Sequence, residues 1–311
     1  MTVPKEIFKQ LNDLKAKRIF IQFPEGLKSR VIQNLAKELE KEGFECVLCV
    51  ERTYGACDVR DTEAMRLKCD VILHVGHVDF GVKSEIPVIY WEYFLGSDPI
   101  PIIEKEFDKL DKYKKIGLVG SIQYVDKLPE VKKFLESKGK KVFIGEVEGV
   151  KYPGQILGCR LKAGKVIEDK VDMFLVVSAA KFYGVGLVLN TDKPMLTVDV
   201  ESKKLTNVDD EKKRIQKIIA WNKSEFKDAT RVGILVTWKK GQLVLPYSIK
   251  KHLEKMGKEV YILAGDELTQ EKLMGLKLDF LINTTCPRVG TDDTERYEIP
   301  MLNWDQAVKV K

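Results

Sequence analysis

The sequence predicts an α/β protein of three repeated small domains, each a parallel sheet with flanking helices, arranged around a central site. Three observations carry that reading. Continuous apolar, β-branched runs alternate with helical patterns, as strands buried on both faces of a parallel sheet do. The same plan of run, helix and further runs occurs three times. First strands begin at Arg18, Lys115 and Arg231, a recurrence of about 100 residues, which is domain-sized and unlike the roughly 20 to 50 of a solenoid.

In the first segment (1–98) the run RIFIQF, Arg18 to Phe23, precedes a helical pattern from Leu27 to Gly43 with Val31, Leu35 and Leu39 on one face. ECVLCV (Glu45 to Val50), DVILHV (Asp70 to Val75) and IPVIYW (Ile86 to Trp91) read as its further strands. The second segment (99–205) has KIGLVGSI (Lys115 to Ile122), a helix over Leu128 to Ser137, and KVFIGEV (Lys141 to Val147). DMFLVVS (Asp172 to Ser178) and PMLTVDV (Pro194 to Val200) complete it. The third (206–311) has RVGILVTW (Arg231 to Trp238), a helix from Val244 to Met256, EVYILAG (Glu259 to Gly265), DFLINTT (Asp279 to Thr285) and IPMLNW (Ile299 to Trp304). Linkers are expected at Gly96 to Pro101 and Glu201 to Asp210, the latter opening a helix capped at Asp209/Asp210. Ligands of parallel sheets collect beyond the carboxyl ends of the strands, so three such ends should face a shared centre.

The composition, 44% hydrophobic and 32% charged with 22 Gly and 11 Pro, excludes a disordered or collagen-like chain. The net charge of +6 is diluted over mixed-sign segments. It reads as a solvated surface, with no direct nucleic-acid partner. No apolar run is long enough for a membrane helix, and MTVPKEIFKQLNDLKAKR lacks the apolar core of a signal peptide. A cytoplasmic protein with reduced thiols is expected. No Ser–His–Asp order and no G-x-x-x-x-G-K-[ST] loop supports a triad or a P-loop.

The six cysteines therefore decide the reading. Cys46 and Cys49 lie inside a strand pattern, where residues three apart face opposite ways, and Cys69 opens another strand; all three read as core thiols. Cys57 (TYGACDVRD), Cys159 (YPGQILGCR) and Cys286 (NTTCPRVG) differ. Each segment supplies one, in a Gly- or Pro-containing loop beyond a strand. They are too far apart in sequence for a local chelate, and they suit a site assembled where three domains meet. Three unrelated loop cysteines, a zinc site with a fourth ligand, and a 4Fe–4S cluster with one iron left open are the alternatives. His74 and His77 form an H-x-x-H that could share a metal only if the chain bends after Val75. Structural hydrogen bonding or lining of the site are their other roles. His252 sits in a charged helix and reads as exposed.

Four motifs carry a family resemblance across essentially the whole chain: QFPEGL (Gln22 to Leu27), YGACD (Tyr54 to Asp58), GQILGC (Gly154 to Cys159) and TCPR (Thr285 to Arg288). Together they resemble archaeal diphthamide synthase, the 2-(3-amino-3-carboxypropyl)histidine synthase of the first step of diphthamide biosynthesis. Eukaryotic members often carry a second Cys where Asp58 stands here. The resemblance implies a radical S-adenosylmethionine enzyme without the usual C-x3-C-x2-C loop. Cys57, Cys159 and Cys286 would each bind an iron of a 4Fe–4S cluster, and no catalytic side chain beyond these ligands is expected. It further implies cleavage of the methionine Cγ–S bond and transfer of a 3-amino-3-carboxypropyl group to C2 of a histidine in translation elongation factor 2. A homodimer served by an electron donor is implied as well.

Such a reaction suits its target. Imidazole nitrogen would outcompete C2 for a cationic alkyl group, whereas a carbon radical avoids that competition, with the cofactor supplying the hard chemistry. Cosubstrate contacts are expected in the turns after the first strands: Pro24, Glu25 and Gly26, then Ser121 beside Gly120, then Gly241 and Gln242 after Lys240. Gln155 and Arg288, next to the cysteines, join them. Each of these turns also reads as an ordinary strand-to-helix connection. The rival activities are a quinolinate synthase-like open-cluster dehydratase and a non-catalytic partner subunit.

Overall fold

Each repeat builds one sheet, and the three sheets share one strand order. The computed structural model describes residues 2–28 and 30–310. Its first sheet holds β1 (Arg18–Gln22), β2 (Glu45–Leu48), β3 (Val71–Val75) and β4 (Val88–Trp91) in the order β2-β1-β3-β4. The second holds β5 (Lys115–Gly120), β6 (Lys141–Phe143), β7 (Met173–Ser178), β8 (Met195–Asp199) and β9 (Lys204–Asn207) in the order β6-β5-β7-β8-β9. The third holds β10 (Arg231–Thr237), β11 (Glu259–Gly265), β12 (Phe280–Asn283) and β13 (Met301–Asn303) in the order β11-β10-β12-β13. Neighbouring strands are parallel throughout, except that β9 runs antiparallel to β8. Central strands are buried on both faces, β3 and β7 along their whole length, which is why they read as unbroken apolar runs. In each unit the first and third strands lie side by side, and the crevice of such a sheet opens at their carboxyl ends.

One aspartate recurs at the same place in all three units. Asp70, Asp172 and Asp279 each stand immediately before the third strand. Asp70 Oδ2 accepts from the backbone N–H groups of Lys17 and Arg18, at 2.8 Å each. Asp172 Oδ2 accepts from Lys114 and Lys115 at 3.0 and 2.8 Å, and Asp279 Oδ2 from Thr230 and Arg231 at 3.3 and 2.7 Å. The carboxylate thus satisfies N–H groups at the start of the first strand that would otherwise lack ladder partners. All three carboxyls are held below their usual range, Asp279 at about 2, chiefly by hydrogen bonds from Arg231.

Several expected boundaries move. The Glu201 to Asp210 stretch carries β9, a short edge strand with no apolar run to announce it. The helix Asp209–Asp228 is not capped by Asp209 or Asp210; those residues fill its first turn, and Asn207 Oδ1 accepts the Asp209 N–H at 2.7 Å. The strand in KVFIGEV stops at Phe143, and the helix expected from Val244 starts at Tyr247. The pattern Leu27 to Gly43 divides into a 3-10 turn, Glu25–Leu27, and a helix, Arg30–Lys41; residue 29 lies outside the described residues. That helix buries Ile32, Leu35 and Leu39 against its sheet, with Val31 only half-buried. The long helix Asp209–Asp228 joins two cores, Ile215 packing in the second unit and Phe226 in the third. Among the described residues, no helix is long and apolar enough to cross a membrane.

Asp279→Asn is expected to destabilise the protein at neutral pH. A carboxyl with a depressed folded pKa stabilises fully above its unfolded value, about 3.9, and stops doing so as pH falls through the folded value of about 2. Urea titrations of wild type and variant should therefore differ by a constant amount above pH 5 (roughly) and converge below the folded value.

Candidate metal centre

The three loop cysteines lie where the three units touch. Cys57 follows β2, Cys159 follows the loop after β6, and Cys286 follows β12. Each pair of units is joined next to one of these cysteines. Between the first and third units, the Gly241 N–H donates to Cys57 O at 2.9 Å. Between the third and second, Arg288 donates from Nη2 to Phe182 O at 2.8 Å and from Nη1 to Gly158 O at 3.5 Å, while its guanidinium stacks on the Phe182 ring at 3.8 Å. Between the second and first, Arg160 donates to Phe80 O at 2.9 Å and stacks on the Phe80 ring at 3.6 Å. These contacts close a triangle around the cysteines.

Charge on one cysteine reaches the others. Burial pushes the Cys286 thiol up to about 11, with further upward push from Cys57 and Cys159. Burial also raises Cys57, where a hydrogen bond from Gln242 pulls the other way and Cys159 pushes up again. Cys159 is exposed, yet the surrounding loops still exclude enough water to raise its thiol, against Arg160 and Arg288. The remaining cysteines keep apart from this group. Cys46 packs on the helix side of the first sheet and Cys49 and Cys69 on the opposite face. Cys46 is in β2 and Cys49 just past its end, so the strand period separates them as expected.

Buried charge fastens Cys57 to the third unit. Lys239 Nζ lies 2.5 Å from Asp58 Oδ2, with side chains only 4% and 3% exposed. Arg60 reaches Asp266 at 2.6 Å and Asp58 at 3.5 Å, and Lys240 reaches buried Asp61 at 2.6 Å. Three acids thus meet three bases. Burial pushes the Asp58 carboxyl up while Lys239 and Arg60 pull it down. Contact is so close that a Cβ on Gly241 would fall 2.6 Å from Cys57 Cα, so only glycine fits. Beside this seam lies a cleft of about 450 Å³ lined from all three units, with Lys83, Arg160 and Lys240 against Glu85. Sequence reasoning missed Asp58 and Lys239 as a pair, because nothing local connects residues so far apart.

The other expected contacts fare differently. Ser121 and Gln155 are fully buried at the carboxyl end of β5, where Gly120 and Gln155 form a parallel bridge, and Ser121 Oγ and Gln155 Nε2 have no partner among the described residues. Gln242 Nε2 donates to Cys57 Sγ at 3.2 Å. Arg288 is committed to Asp292, Phe182 and Gly158, which holds the Cys159 loop. Pro24, Glu25 and Gly26 do not form the start of a longer helix. They sit at a 3-10 turn whose Glu25 pairs with Lys28 at 3.2 Å, and Pro24 packs on the bend at Gly76. That bend, with Gly76 at φ +86, brings His74 Nε2 to His77 Nδ1 at 3.1 Å. Burial holds both imidazoles neutral, with His77 at about 4. His252 is exposed, edge-on to Trp304.

Comparison with known proteins agrees with this fold. The family described as "Putative diphthamide synthesis protein" matches residues 23–308. The 2-(3-amino-3-carboxypropyl)histidine synthase of Pyrococcus horikoshii is 34% identical over 308 residues, covering 96% of this chain and 87% of the relative. Subunit 1 of the Kluyveromyces lactis synthase is 24% identical over 300 residues, covering 93% and 70%. Among solved structures, Dph2 from Pyrococcus horikoshii superposes with a TM-score of 0.89 at 32% identity, covering 98% of this chain and 89% of that one. The same protein solved with a 4Fe–4S cluster gives 0.89 at 31% identity, with the same coverage.

Removing one side of the seam should be costly. Lys239→Met leaves buried Asp58 with only the more distant Arg60, an expected loss of about 3 kcal/mol, the low end for a broken buried pair. Gly241→Ala forces the two loops apart, at about 1–3 kcal/mol. Gly26→Ala, where a Cβ meets nothing within 4 Å, should stay within about 0.5 kcal/mol of wild type. Chemical denaturation of the three variants checks the order.

Proposed function

Because the chain belongs to the diphthamide synthesis family, we propose that it is a 2-(3-amino-3-carboxypropyl)histidine synthase whose Cys57, Cys159 and Cys286 hold a 4Fe–4S cluster. The observation that carries this reading is the convergence of one cysteine from each unit, close enough that each raises or is raised by another's charge. Among the described residues, no three His, Cys, Asp or Glu side chains gather tightly enough for a single ion. A cube, unlike a lone zinc, spreads its thiolates over separate irons and asks for no single-ion cage. Three protein thiolates leave one iron free for a cosubstrate.

When bound, such a cluster would supply the one-electron chemistry that splits the methionine Cγ–S bond of S-adenosylmethionine, with methylthioadenosine leaving and the 3-amino-3-carboxypropyl group passing to histidine C2. The chain's own residues hold and orient. Ser121 Oγ and Gln155 Nε2, buried without partners, are groups that a polar cosubstrate would satisfy. Lys83 and Arg160 bring positive charge suited to a carboxylate to the adjoining cleft, where Lys240 is paired with Asp61. Arg288 and the Lys239–Asp58 pair hold two cysteine loops in place, which fixes the geometry on which the choice of bond depends. On the same resemblance, the protein substrate is translation elongation factor 2, modified in the cytoplasm by a homodimer that draws on a separate electron donor.

Anaerobic reconstitution with iron and sulfide tests the assignment. Cys57→Ala, Cys159→Ala and Cys286→Ala should lose the cluster absorption, while Cys46→Ala and Cys49→Ala keep it. The loaded wild type, reduced with dithionite, should release methylthioadenosine from S-adenosylmethionine. A loaded protein that releases none would favour the dehydratase, and cluster uptake indifferent to the three substitutions would defeat the ligand set.

A further inference from the structure

Gln242 sits in a turn where the sequence analysis expects a cosubstrate contact, and its amide reaches across the seam onto the Cys57 sulfur at 3.2 Å. We propose that Gln242 is a positioning residue that sets the reduction potential of the cluster by hydrogen bonding to the Cys57 thiolate. The inference rests on the cluster reading given above and names a residue that is not itself a ligand.

Chemistry fixes the direction of this bond. A metal-bound or ionised sulfur offers only lone pairs, so the amide must present Nε2–H and not its oxygen. The donor is also held on both sides. Its own backbone N–H donates to Lys239 O at 2.8 Å, and the preceding Gly241 N–H donates to Cys57 O at 2.9 Å. Lys239 and Lys240 are anchored in turn to Asp58 and Asp61. Donor and acceptor therefore belong to one braced unit, with little freedom for the half-buried glutamine to swing away. Among the described residues, neither the Cys159 nor the Cys286 sulfur receives a side-chain amide, so the influence falls on one corner only.

A donor at sulfur draws negative charge away from the thiolate and so favours the more reduced, more negative state; hydrogen bonds to the sulfurs are a main lever on such potentials. The Lys239–Asp58 pair is neutral in sum and braces the donor. Gln242 is thus separable from the ligands in function: its loss should leave iron bound but harder to reduce.

The test uses Gln242→Met, similar in length and without a donor, and Gln242→Leu as a second variant, each reconstituted alongside wild type. Midpoint potentials are read by dithionite titration followed by electron paramagnetic resonance. Expected are wild-type iron and sulfide contents with the one-electron equilibrium displaced about tenfold toward the oxidised form, a drop of about 59 mV. An unchanged midpoint at matched loading overturns the proposal. So does loss of the cluster from both variants, because a residue that only tunes charge leaves the ligands able to bind. A wild type that takes up no cluster marks the failure of the ligand assignment instead, and is distinguished by that control alone.

Discussion

Two charges almost without access to water, Asp58 and Lys239, hold the first and third units in register. Taking such ions out of water is costly, and a buried pair seldom returns more than it loses. Its value here is positional. Asp58 follows Cys57 directly, and Lys239 stands three residues before Gln242, so their contact decides where the first cysteine points and what touches its sulfur. An apolar pair of equal volume could fill the space but would leave the two loops free to slide. Arg60, Asp266, Lys240 and Asp61 extend the same constraint, and their balanced signs keep the seam from repelling itself.

How much of this was legible in the sequence follows from distance along the chain. The strands were readable because burial on both faces leaves continuous apolar runs. Cys46 and Cys49 could be set aside because a strand alternates its faces, and they do pack on opposite sides of their sheet. The edge strand β9 was hidden because a four-residue strand with one buried side chain leaves no pattern. The hydrogen bond from the Asp209 N–H to Asn207, just outside the helix, was missed for the acidic pair two residues on, where the dipole of the first turn favours aspartate without capping. Partners such as Lys239–Asp58 and Gln242–Cys57 lie in different units, and no local rule connects them. Asp70, Asp172 and Asp279 lay between these cases. Each was visible as a letter before an apolar run, but its task depends on the parallel pairing of the first and third strands.

The repeats are alike in topology and unlike in where each places its cysteine. The first two units offer it after their second strand, the third after its third. The shared strand order explains why this divergence is tolerated. In a 2-1-3-4 sheet the third strand borders the first at the centre, so Cys286 after β12 still emerges at the crevice that β10 opens toward the first unit. Arg288, two residues further, then spans to the second unit and stacks on Phe182. Departure from the repeat places the third thiol beside the seam that carries the first.

The energetics of the thiols point the same way as their placement. Burial raises all three, and mutual repulsion adds to Cys57 and Cys286. Ionising them together requires positive charge in their midst, since no lysine or arginine donates directly to any of the three sulfurs among the described hydrogen bonds. On the proposed cluster reading, iron would supply that charge and bind the thiolates it creates, so that loading and proton release would be one event. Gln242 and the backbone N–H of Arg288 lower the thiols slightly, as neutral donors do, without competing for the sulfurs as a fixed cation would. On that reading the counter-charge would come from the inorganic centre, with the protein contributing shape, exclusion of water and a single amide.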